Sequence, residues 1–335
     1  MQKDLYLHLG LHKTSSTSFQ ATCKANLQFL LDQGITYPLF KCAQISREDI
    51  SNHSIPLFSL FSGKADRYHI NIRIGINDVA AANSEYLTQL DQILANSNKV
   101  ILSGEDIGVF NANAFNQLKA AISKHNYTIK PFALVRDPYS FMNSAFQQMI
   151  KSGNYNSLIS LGALTESKAN AGSIIPNRNQ AIKTIIDSFG DSVRFYPFSK
   201  ACEYNGGPVH FILEHICGVQ DMSSITLCRK NQSRSNLWTR IQNQLNKSNP
   251  ALINNETNPN HRALAKNLFT KNAQKFNLTE TEFNLIQDQY KLAEDTMHAL
   301  LGDEYMSNSY TFSDPISADV LANLITDYAT LITTS

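Results

Sequence analysis

The residues best suited to chemistry form one short segment. Gly10-Leu11-His12-Lys13 runs into an unbroken set of hydroxyl side chains, Thr14, Ser15, Ser16, Thr17 and Ser18. The apolar run Leu5 to Leu9 precedes it and helical spacing follows it (Phe19, Cys23, Leu27, Leu30). The segment is therefore a strand-to-helix turn. A helix N-terminus offers unpaired N–H groups and the positive end of the dipole. A lysine and several hydroxyls at that spot suit a phosphate- or sulfate-like anion. Ordinary capping would use one such residue. The nucleotide-hydrolase pattern Gly-x-x-x-x-Gly-Lys-Ser/Thr is not met, because His12 rather than glycine precedes Lys13.

A second group is Val135-Arg136-Asp137-Pro138 with Ser144 further along. Arginine offers a bidentate fork and serine a hydroxyl, which together suit another phosphate. A third is Arg229-Lys230-Asn231-Gln232-Ser233. By its residues alone it is a solvated basic turn. Two residues are candidates for a general base. Glu105 follows the apolar run Val100 to Leu102, though it also suits a cap of the next turn or a partner for a cation. His53 has the side chain that titrates near neutrality. His12 is assigned no role.

Several elements must position these residues. Strands are expected over 5–9, 99–103, 131–135 and 193–198. Helices are expected over about 19–33, 84–94, 112–124, 138–151 and 179–189, with Pro138 in a first turn that needs no N–H. Strands alternating with helices imply βαβ units and a mainly parallel sheet. Ligands of such sheets gather at the carboxyl ends of the strands. Residues 34–98 form an excursion, irregular over about 40–80, of the kind that carries substrate contacts. The part from 235 to 335 reads as mainly helical. There Thr279-x-x-Glu282 is a capping-box pattern, and Phe283, Ile286, Tyr290, Ala293, Met297 and Leu300 form a core-facing stripe. One domain spanning 1–335 is the simplest arrangement.

Composition narrows the classes. With 42% hydrophobic and 17% charged residues, the chain is not a charge-rich disordered polymer. A net charge of +1 is too small for a general nucleic-acid binder, so any anion site is local. The five cysteines show neither zinc spacing nor a disulfide framework, and reduced thiols and no metal are expected. No secretory leader and no apolar run of about 18 residues is read, so a cytoplasmic protein without a membrane span is expected.

The segment His8-Leu9-Gly10-Leu11-His12-Lys13-Thr14-Ser15-Ser16-Thr17-Ser18-Phe19-Gln20 resembles the opening signature of sulfotransferases. In many bacterial members it runs His-x-Gly-x-His-Lys-Thr-Gly-Thr-Thr-x-x-Gln. This chain departs from it at Ser15 and Ser16. Arg136 and Ser144 keep the spacing of that family's 3′-phosphate segment, and Ser103-Gly104-Glu105 resembles its Ser-Ser-Glu stretch. The match covers about 4–33 and 99–151. The resemblance implies an α/β fold like that of P-loop nucleoside-triphosphate hydrolases, with a helical C-terminal layer. It implies a metal-independent enzyme that transfers a sulfuryl group from 3′-phosphoadenosine-5′-phosphosulfate (PAPS) to a hydroxyl or amine. The product is 3′-phosphoadenosine-5′-phosphate (PAP), and the acceptor is expected to be a carbohydrate. Lys13 would steady the leaving oxygen, residues 14–18 would hold the 5′-phosphosulfate, and Arg136, Ser144 and Arg229 the 3′-phosphoadenosine. Glu105 or His53 would be the base, and 34–98 would hold acceptor specificity. The alternatives are a non-catalytic PAP-binding module and a P-loop kinase, which would need ATP and Mg²⁺.

Overall fold

Leu5, Leu7, His8 and Leu9 are fully buried and Tyr6 is only 7% exposed, so this stretch of the first strand has no solvent face. A strand covered on both sides belongs inside a parallel α/β sheet. The computed structural model describes residues 2–45, 49–162, 165–169, 179–230, 233–254, 256–265, 268 and 274–323. The chain divides into two compact units, Met1–Asp137 with Arg178–Asn231, and Pro138–Asn177 with Gln232–Ser335.

In chain order, the strand Lys3–Leu9 (β1) leads to helices Ser16–Ala25 (α1) and Leu27–Asp32 (α2). The excursion holds Ser54–Phe61 (α3), His69–Ile74 (α4) and Val79–Asn96 (α5). Then come Lys99–Gly104 (β2), Ala112–Ser123 (α6) and Tyr127–Val135 (β3). Pro138–Lys151 (α7) opens the second unit, and the chain returns to the first with Asn179–Phe189 (α8) and Arg194–Pro197 (β4).

The four strands are parallel, in the order β2-β1-β3-β4. The α/β class and parallel sheet expected from the alternating pattern are present. Backbone bonds from Thr36 to Lys99 and from Ile101 to Thr36 partly cover the outer edge of β2. On one side of the sheet Phe19, Cys23 and Leu30 pack with Leu134, Ile212 and Leu213, all fully buried. Each such Leu or Phe contributes about 1.5–3 kcal/mol on leaving water.

The structure differs from expectation in three places. The first helix breaks at Asn26, whose side chain bonds Thr226 instead of letting the helix continue. The stretch 40–80 is partly helical. Ser54-Ile55-Pro56-Leu57-Phe58-Ser59-Leu60-Phe61 is apolar around nearly its whole circumference, so it carries no one-sided stripe. The stripe from Phe283 is split between two helices, Glu280–Asn284 and Gln287–Leu301, with Ile286 at the break.

The second unit also contains the helix Asn236–Ser248. Its buried face is polar, and its side chains bond loop backbone. Asn243 Nδ2 donates to the carbonyls of Asn156 and Ile159, and Asn246 Nδ2 to those of Ile150 and Asn154. Arg240 and Glu282, both fully buried, form a bidentate pair at 2.6 and 2.9 Å. Glu282 also closes the expected capping box with Thr279.

Candidate functional site

In a sheet ordered β2-β1-β3-β4, the strand order reverses between β1 and β3, and open parallel sheets take their ligands at the carboxyl ends of the strands beside such a point. Three of the residues singled out from the sequence lie at this edge. Lys13 follows β1, Glu105 follows β2 and Arg136 follows β3. Arg136 Nη1 donates to the Lys13 carbonyl at 3.1 Å, which ties the two motifs together. Its guanidinium also lies 5.3 Å from the ring centre of Phe198, just beyond β4. Burial pushes the pKa of Arg136 down, partly countered by the neighbouring Asp137.

The turn itself is tightly wound. Lys13 and Ser15 both have left-handed backbone, φ 68° and 66°. Ser15 is the N-cap of α1, yet its side chain makes no capping bond. A left-handed residue followed by helical ones turns successive N–H groups toward one side, the geometry of an anion nest. Glycine alone adopts that φ without steric cost. Gly10 admits no side chain, because a Cβ there would sit 2.9 Å from Ser16 Oγ and 3.0 Å from Glu105 Cα. The loop after β1 is thus pressed directly against the start of the Glu105 turn.

The hydroxyls do different things. Thr14 is buried and donates to the Leu11 carbonyl, closing the loop from inside. Ser16 is 1% exposed, and its Oγ has no hydrogen-bond partner among the described residues. Thr17 is exposed. Ser18 Oγ accepts from the Lys230 backbone N–H at 3.0 Å.

That last bond belongs to a ladder. Ser18 and Thr22 on α1 and Asn26 at its C-terminal cap lie four residues apart, and each side chain accepts a backbone N–H, from Lys230, Cys228 and Thr226 respectively. Four helical residues rise about 6 Å and two extended residues about 6.6 Å, so the repeats match. The late basic segment is therefore laid along α1 up to Lys230. Arg229 is exposed within it, while Asn231 and Gln232 lie outside the described residues. Ser144 is half-buried on α7 in the second unit.

Glu105 carries the main electrostatic feature. His12 Nδ1 lies 3.3 Å from Glu105 Oε2. Burial pushes the Glu105 carboxyl up, but the His12 hydrogen bond and the charges of His12 and Lys13 outweigh it and hold its pKa below the usual carboxylate range. No sequence signal pairs His12 with Glu105, because the two lie 93 residues apart.

His53 occupies a different setting. It is fully buried, its Nδ1 accepts the Ser103 N–H at 2.8 Å, and its Nε2 donates to the Pro38 carbonyl at 2.7 Å. Burial lowers its pKa to about 4. With both nitrogens bonded in the core, it braces β2 rather than facing an acceptor. The signature residues His8 and Gln20 have a bracing role too. His8 Nδ1 bonds Ser103 Oγ at 2.8 Å, its ring stacks on Phe132, and Gln20 Nε2 donates to the Ser103 carbonyl.

Among the described residues no group of His, Cys, Asp or Glu could hold a metal ion, and no helix is long and apolar enough to cross a membrane. No family model matches the chain, and no curated protein matches it. Among solved structures, one match comes from the PezAT chromosomal toxin-antitoxin system of Streptococcus pneumoniae. It is 9% identical, covers 74% of this chain and 84% of that chain, and has a TM-score of 0.29. So distant a likeness carries no argument about function.

Proposed function

We propose that the chain is a sulfotransferase, moving a sulfuryl group from PAPS to a hydroxyl or amine of a carbohydrate acceptor. The observation that carries the reading is the orphaned Ser16 Oγ, buried at the first turn of α1 beside the left-handed Ser15. A buried hydroxyl without a partner costs about 1–3 kcal/mol, and an anion seated in the turn would remove that cost. The match of residues 8–20 to the sulfotransferase signature selects the phosphosulfate among possible anions.

When bound, PAPS would supply an activated sulfuryl group and leave as PAP. Lys13 would counter the charge that develops on the bridging oxygen, a contribution that grows in the transition state. The backbone of 14–18 and the Ser16 hydroxyl would hold the 5′ end. Arg136, joined to the same turn through the Lys13 carbonyl, would offer its fork to the 3′-phosphate. The excursion is pressed on the end of β2, where a Cβ on Gly104 would sit 2.5 Å from Ser54 N, and Tyr68 donates to Asp106 beside Glu105. That position supports a role for the excursion in reading the acceptor. The left-handed Ser15 favours one rival, a module that binds PAP without transfer.

Release of PAP from PAPS in the presence of a panel of mono- and disaccharides tests the reading. Acceptor-dependent release is expected. PAP binding with no release from any acceptor would favour the binding module.

A further inference from the structure

We infer that His12 is the group that takes the acceptor's proton, and that Glu105 acts through it as the residue that orients the ring. This inference rests on the sulfotransferase reading and deepens it.

The geometry sets the roles. His12 Nδ1 lies 3.3 Å from Glu105 Oε2. A carboxylate only accepts, so the bond requires the proton of the neutral ring to be on Nδ1. The lone pair is then on Nε2, for which the described residues provide no partner. The His12 side chain is 46% exposed, while that of Glu105 is 33% exposed. The imidazole is therefore the more open member of the pair, and it stands next to Lys13 in the chain. Lys13 and the buried His8 act on Glu105, and Tyr68, bonded to Asp106, lies near it as well. With its carboxyl held below the usual range, Glu105 is a weak base and a good anchor. A carboxylate that fixes the tautomer of a histidine base is a recurrent device of proton transfer.

The step balances. As the acceptor oxygen bonds to sulfur, its proton passes to His12 Nε2. The bond from sulfur to the 5′-phosphate oxygen breaks, and its electron pair remains on that oxygen beside Lys13. The imidazolium is stabilised by Glu105 and returns its proton to water after release.

The test combines a spectroscopic and a kinetic readout. Nitrogen-15 NMR of the imidazole in the protein without nucleotide is expected to show the Nδ1–H tautomer at His12, and Glu105→Gln is expected to lose that preference. His12→Gln is expected to lower PAPS turnover, with water or saccharide as acceptor, by about 10²-fold or more while PAP affinity stays within about twofold. Added imidazole is expected to restore part of the turnover of His12→Ala. An unchanged tautomer in Glu105→Gln, or near-wild-type turnover in His12→Gln, overturns the inference and leaves the sulfotransferase reading standing. Failure of the wild-type protein to bind PAP overturns that reading and the inference with it.

Discussion

The guanidinium of Arg136 donates to the main-chain carbonyl of Lys13 at 3.1 Å, joining residues 123 positions apart at the β1/β3 switch point. One arginine therefore shapes the turn after β1, and in the proposed function it also holds the 3′-phosphate. Arg136→Ala is expected to weaken PAP binding by at least about tenfold, the loss of one charge-assisted contact. Arg136→Lys is expected to recover only part of it, because a point charge cannot reproduce the fork. Isothermal titration calorimetry with PAP checks both.

Ser15 holds a left-handed conformation that costs a non-glycine residue about 1–2 kcal/mol. Ser15→Gly removes that cost but adds up to about 1 kcal/mol of unfolded-state entropy. A net stabilisation of about 0.5–1 kcal/mol is expected, seen as a rise of a degree or two in the thermal midpoint. A fall in the midpoint would contradict the left-handed assignment.

Much of this site was legible in the sequence. Lys13, Glu105 and Arg136 each follow an apolar strand, and alternation with helices sends parallel strands out at one edge. The hydroxyl run marked the turn, but not that Thr14 closes it from inside while Ser16 is left without a partner. Those roles depend on the left-handed backbone at Lys13 and Ser15, which neither residue type advertises. The His12–Glu105 contact was not legible, because it depends on the register of β1 against β2. His53 looked like a loop histidine because the helix after it has no apolar stripe. Burial and two bonds in the core define it instead.

Stability should fall on mild acidification. His8 and His53 are fully buried, and burial lowers both pKa values to about 4, from about 6.5 when unfolded. The unfolded chain then binds more protons than the native one between those values. The stabilisation is complete above about pH 7 and is lost as pH falls from about 6.5 toward 4. At pH 5 each histidine costs about 2 kcal/mol relative to pH 7. Urea denaturation at the two pH values measures this, and His53→Gln should reduce the difference. Equal stabilities would contradict the buried, neutral assignment.

In the second unit, Glu282 neutralises Arg240 and also accepts the Ser160 and Thr279 N–H groups. Glu282→Ala leaves a buried, unpaired guanidinium. It is expected to cost about 3–5 kcal/mol. Chemical denaturation reads the loss. A change below about 1 kcal/mol would show that the pair is solvated.

The most direct test of the account is a titration of the wild-type protein with PAP, run beside ATP with Mg²⁺ and followed by calorimetry or thermal shift. Saturation at a hundred times the dissociation constant adds about 2.7 kcal/mol of stability, a readable rise in midpoint. PAP is expected to bind without metal, and Lys13→Ala and Arg136→Ala are each expected to weaken that binding by at least about tenfold. Binding of ATP with Mg²⁺ and none of PAP would contradict the account and point to a kinase.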